Sequence, residues 1–137
     1  MIVVWDGLVD LAQWQAHVPR MLSDPQYVPA AAQLTDLRFS SIDESIGEDD
    51  IRRMTDYFAT QHSKLEGKRL AIVAGGEWEK PKQVELSLKS QMVQTIVFND
   101  LVTACVWLGT DVVEAGREIQ QLRLKLRRSP WEQALGS

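Results

Sequence analysis

A chain of 137 residues has room for one domain, and 45% hydrophobic with 25% charged residues is the composition of a chain that buries a core, which excludes a disordered one. Fifteen Lys and Arg against nineteen Asp and Glu leave a formal charge of −4, which excludes the strongly basic surface of a nucleic-acid-coating protein. The single cysteine, Cys105, excludes an intramolecular disulfide and a multi-cysteine zinc or iron–sulfur site, and it fits a reducing, cytoplasmic setting.

The first apolar run, Ile2 to Trp5, reads as a strand; it lacks the basic and long apolar regions of a signal peptide, and nowhere do 18 uncharged apolar residues run together to span a membrane. Leu11, Trp14, Val18 and Met21 then recur at steps of three and four behind Asp10, a capped helix in which Pro19 predicts a kink or a division in two. A second strand covers Leu34 to Phe39. Glu48, Asp49 and Asp50 crowd the first turn of the next helix, where negative charge suits the dipole, and Ile51, Met54, Phe58 and Leu65 form its buried stripe.

Leu70 to Ala74 is a third strand ending in Gly75-Gly76, followed by a helix from Glu77 with Pro81 in its first turns and Trp78, Val84, Leu88 and Met92 inward. Thr95 to Phe98 is a fourth strand. Asn99 or Asp100 caps a short helix with Leu101, Ala104, Cys105 and Leu108 inward, ended by Gly109. Alternating strands and helices of this length predict an α/β sheet with parallel crossovers.

A last segment, Asp111 to Arg128, carries Val112, Ala115, Ile119, Leu122 and Leu126 as a narrow seam over two heptads, with Arg123, Lys125, Arg127 and Arg128 gathered at its C-terminal end. Such a helix can dock on its own domain, on a second copy, on an anionic lipid surface or on nucleic acid; the first two are favoured, because the chain is acidic overall and the basic end is read as solvated and dipole-complementing. The chain therefore divides into a domain over 1–109 and a C-terminal amphipathic helix with its tail over 110–137.

Chemistry is sparse. There is no nucleophile elbow, no P-loop, no His-Glu-x-x-His and no Gly-x-Gly-x-x-Gly, and Gly75-Gly76 is a plain turn. His17 and His62 read as boundary histidines and Cys105 as a small core residue. Asp43, Glu44, Glu48, Asp49 and Asp50 lack the alternating spacing of a calcium loop, so no metal or cofactor is expected. Asp36-Leu37-Arg38 stands out, because charges two apart on a strand share one face; either an edge ion pair or a pocket-side role for Arg38 follows.

Taken together, Asp36-Leu37-Arg38 after a strand, an acidic-capped helix, Leu70-Ala71-Ile72-Val73-Ala74, and Val97-Phe98-Asn99-Asp100-Leu101 running into Ala104-Cys105-Val106-Trp107-Leu108-Gly109 resemble the bacterial SpoIIAA-like, STAS-type small domains over about Ile2 to Gly109. The resemblance implies a single mixed, mostly parallel sheet of four to five strands flanked by helices, and a non-catalytic role in protein interaction or small-ligand binding. Glu44 falls where the wider family carries a phosphorylated serine, so no phosphoswitch is expected. The leading expectation is a protein-interaction or regulatory domain, a homodimer through the Val112 to Leu126 seam or a docker of another protein. The alternative is a carrier or sensor of a small apolar or anionic ligand, with Trp5, Trp14, Trp78 and Arg38 as its first contacts.

Overall fold

The computed structural model describes residues 1–28, 31–60 and 68–126. Its elements are β1 (Ile2–Val9), α1 (Leu11–Ser23), β2 (Gln33–Ile42), α2 (Glu48–Thr60), β3 (Arg69–Val73), α3 (Glu79–Ser90), β4 (Gln94–Phe98), α4 (Leu101–Leu108) and α5 (Val112–Leu126). The strands form one sheet in the order β1-β2-β3-β4, and all three pairings are parallel. The expected mixed sheet is thus wholly parallel among the described residues: each strand follows its neighbour through a helix, and a helical crossover returns the chain in the same direction.

Because each crossover steps the same way along the sheet, the right-handed rule puts α1, α2 and α3 on one face, called here the crossover face. Val18, Met21, Met54, Phe58 and Leu88 pack there on Val3, Leu70, Ile72 and Val97. The α4–α5 face collects Leu34, Ala71, Val73, Ala104, Cys105, Leu108, Ala115 and Ile119. β3 feeds both clusters by simple alternation, which is why Leu70 to Val73 reads as an unbroken apolar run.

Local chemistry accounts for the element ends. Asp10 and Gln13 form a reciprocal capping box, the Gln13 N–H donating to Asp10 Oδ1 at 2.7 Å and the Asp10 N–H to Gln13 Oε1 at 3.0 Å. α1 runs unbroken past Pro19, which lies on the exposed side. Asp100 caps α4 through the Thr103 N–H, and Gly109 ends it in the left-handed region at φ 72°. α3 begins two residues later than expected and stops at Ser90. Met92, expected on its inward stripe, instead stands 86% exposed at φ 65°, because the N–H groups of Gln91 and Val93 both donate to Leu88 O and turn the chain out.

α5 belongs to the same packed body as the sheet. Ala115 and Ile119 are buried, Val112 and Leu122 half-buried, and Leu126 is 55% exposed. The expected seam is therefore used in cis over most of its length. Arg123, expected to be solvated, is half-buried: its guanidinium lies 3.4 Å over the Phe39 ring and its Nε 3.5 Å from Asp6 Oδ2. Lys125 is exposed, and Arg127 and Arg128 lie outside the described residues, as do His62 and Leu65.

Candidate functional site

The residues singled out in the sequence separate into two places. Asp36 is wholly buried on β2, one of the two inner strands, and holds one edge of the Arg38 guanidinium, Nε to Oδ1 at 3.0 Å and NH2 to Oδ2 at 2.8 Å, while the Arg38 backbone N–H donates to Oδ1 at 3.0 Å. The pair follows from a bulge: Val4 opposes Asp36 but Asp6 opposes Phe39, so β2 carries one extra residue there. The bulged backbone lies close to the turn after β3, where a Cβ on Gly75 would sit 3.1 Å from Arg38 O, so glycine fits there without displacing the strand. The accepting carboxylate raises the Arg38 pKa above its ordinary value and holds the Nε and NH2 donors of the guanidinium. Asp36 and Arg38 thus make a strut on the α4–α5 side, and the surface or edge reading is corrected at Asp36, which is 0% exposed on a strand paired with both β1 and β3, while Arg38, past the last β2–β3 pair, stays 29% exposed.

Trp78 lies apart from that strut. It is the residue before α3, packs on the crossover-face cluster, and has the Lys82 ammonium 5.9 Å from its ring.

The crossover face also holds a cavity of about 130 Å³. Trp14, His17, Val18 and Met21, the inward stripe of α1, form its roof, and Val3, Trp5, Thr35 and Leu37 of β1 and β2 form its floor. Ile51, Met54 and Phe58 of α2 wall one side, and Pro81 and Val84 of α3 reach its far end. Lining side chains run along β2 from Gln33 to Ile42, roughly 30 Å of strand, so the space is long and narrow. Trp5, Trp14 and His17 line it while only half-buried, which places its rim beside α1. The His17 ring meets Trp5 edge to face with centroids 4.8 Å apart; burial, aided by the Arg20 charge, pushes its pKa down and favours the neutral imidazole. Lys80 lines the opposite end and donates to Asp43 O at 2.6 Å.

One lining group was not legible as functional. Gln33, at the start of β2, is 4% exposed; its Nε2 donates to the Met21 thioether at 3.5 Å, and its buried Oε1 accepts no hydrogen bond from the described residues. The sequence signal available was a glutamine opening an apolar strand, which ordinarily marks a solvated strand end. Lys68 was missed too. It is 1% exposed just before β3, donates to Ala31 O at 3.3 Å, lies 4.8 Å from the Tyr27 ring, and has its pKa pulled down by burial to about 8.

Cys105 is buried on the α4–α5 face, and burial pushes its thiol pKa up. Among the described residues no group of three or more His, Cys, Asp or Glu could hold a metal ion, and no helix is long and apolar enough to cross a membrane. The acidic residues before and in the first turn of α2 make local contacts, Asp43 accepting from the Ser45 N–H and Asp50 from the Gly47 N–H. Comparison of the chain with protein-family models, curated proteins and solved structures finds no match in any of the three.

Proposed function

We propose that the chain is a non-catalytic binding domain that takes a small, predominantly apolar molecule into the space between α1, α2 and the crossover face of the sheet. The observation that carries this is the cavity: about 130 Å³ of space walled by aliphatic and aromatic side chains is comparable with the roughly 150 Å³ that admits benzene in an engineered protein interior. Its shape suits a single aromatic ring or a short alkyl chain, and its polar groups are few, as in sites that orient an apolar ligand. The strut formed by Asp36 and Arg38 supports the fold on the other side and has no part in this reading.

Toluene is the direct probe. Titrated into the full chain and followed by amide chemical shifts, it is expected to saturate one site with changes confined to α1, α2, β1 and β2, and to raise the melting temperature as any ligand of the folded state does. Val18→Phe, which fills the cavity from the roof, abolishes the saturable response. No saturable binding of toluene or of its hydroxyl analogue phenol to the wild-type chain overturns the reading.

A second reading rests on a different observation. Val102 and Val106 of α4 and Val113, Leu124 and Leu126 of α5 are each more than half exposed. They favour self-association through the outer surface of the α4–α5 layer, in keeping with a SpoIIAA-like interaction domain. Light scattering on the full chain and on Val106→Glu tests it: a dimer that becomes a folded monomer supports it, and a wild-type monomer rejects it.

A further inference from the structure

Gln33 sets a requirement on whatever enters the cavity. A thioether sulfur accepts hydrogen bonds and cannot donate one, so the contact with Met21 Sδ fixes the amide with its N–H toward sulfur and Oε1 the other way. The residue is 4% exposed and its oxygen meets no donor among the described residues. An acceptor that no protein donor meets favours an occupant that donates to it over one that presents only carbon or another acceptor. Thr35, next on the same face of β2 and also lining the space, adds a hydroxyl near that end.

We infer that Gln33 Oε1 is the specificity-determining acceptor of this site and that the ligand is a neutral, mainly apolar molecule bearing one hydroxyl or N–H donor at the end that meets the start of β2. The inference rests on the cavity being a binding site. A carboxylate is the wrong head group, because it has no proton to donate and would bring a charge against a buried carbonyl oxygen. The opposite end of the site is apolar up to Lys80, whose ammonium is occupied by Asp43 O, so it suits the ring or chain. Discrimination follows because a site built to hydrogen-bond a donor penalises the analogue that lacks it far more than an apolar pocket penalises a missing methylene.

Phenol and toluene share a ring and a heavy-atom count and differ in the donor, so the ratio of their affinities isolates it. In calorimetric titration of the full chain at pH 7, Gln33→Leu is expected to lower the phenol-to-toluene ratio by about tenfold or more while toluene binding is kept. Benzoate is expected to bind more weakly than either. The Gln33 Cδ resonance of the wild-type chain supplies a readout independent of any variant: phenol shifts it and toluene does not. If toluene binds the wild type but the ratio is unchanged in Gln33→Leu, or phenol leaves the Cδ resonance in place, the donor requirement is wrong and the apolar cavity stands. If neither compound binds the wild type, both fall.

Discussion

The two faces of the sheet are built from different sizes of side chain, and the difference separates support from binding. On the α4–α5 face, Ala71, Ala104, Cys105 and Ala115 let helix and strand backbones approach closely, and the one strongly polar element beneath, Asp36, is saturated by Arg38. On the crossover face, Trp5, Trp14, Met21, Met54 and Phe58 hold the helices farther off. Large, irregular side chains facing one another across a layer rarely fill it completely, and here they leave about 130 Å³ with one unpaired amide oxygen at its wall. A filled layer transmits rigidity; an underfilled one has room for a ligand.

The largest effect should come from breaking the support. Arg38→Ala leaves the Asp36 carboxylate buried without its partner and is expected to cost about 3–5 kcal/mol, the range for removing one member of a buried pair. Asp36→Ala should cost less, about 1–2 kcal/mol, because the Arg38 side chain is 29% exposed and its guanidinium can reach water. Urea denaturation monitored by tryptophan fluorescence gives both values. Equal costs would mean that Arg38 is as desolvated as Asp36, and the face would be less securely anchored than the geometry implies.

Adding volume to each face tests the packing contrast with opposite signs. Ala104 is wholly buried on the tight face, so Ala104→Leu should destabilise by about 1–3 kcal/mol through overpacking. Val18→Leu on α1 adds one methylene beside the cavity and replaces a β-branched helical residue, and it should stabilise by about 0.5–1 kcal/mol. Destabilisation by both variants would show that the space under α1 has no room for a methylene, and toluene binding would then fail as well.

A smaller effect concerns an edge of the sheet. β4 is an edge strand, and Glu85 of α3, 4% exposed, covers it by accepting the outward Val97 N–H at 2.8 Å while Lys82 donates to its other oxygen at 3.0 Å. Glu85→Ala should cost about 1–2 kcal/mol and leave a strand edge open to intermolecular pairing. Concentration-dependent light scattering during refolding is the sensitive measurement. A variant that refolds as cleanly as wild type would mean that the edge is protected by its shortness alone.

These contrasts were unevenly legible in the amino-acid order, for a physical reason. Asp10, Asp100 and Gly109 act within three or four residues of themselves, so their caps could be read directly, and Leu70 to Val73 announced a strand covered on both faces. The far halves of β1 and β2 could not be read. Asp6-Gly7 and Ser40-Ser41 have the composition of turns, yet they pair across the two strands beyond the bulge. Arg123 read as a solvated cation because its partners, Phe39 and Asp6, are remote in sequence. Gln33 and Glu85 are buried by elements far along the chain, and a void is a mismatch between facing surfaces that no single segment encodes. The candidate site was glimpsed only through Trp5 and Trp14; Arg38 and Trp78, the other first contacts, stand outside the cavity lining.

The mildest way to sharpen the contrast is pH, because His17, the one histidine among the described residues, sits on the underfilled face against Trp5. Burial and the Arg20 charge hold its folded-state pKa below the ordinary 6.5. Between those two values the unfolded chain binds more protons than the folded one. Its contribution is therefore fully present above about pH 6.5 and is lost as pH falls through the folded value. His17→Phe keeps an aromatic edge toward Trp5 and cannot titrate, so the stability of wild type relative to this variant should decline as pH falls below 7 and level off only once pH is under the folded-state value. Protonating an imidazole beneath a loosely held helix also favours lifting that helix into water, so toluene affinity should weaken over the same interval in the wild type and stay flat in His17→Phe. A relative stability that does not change with pH would place the imidazole in solvent, and the rim of the cavity would then have to be drawn deeper, at Val18 and Met21.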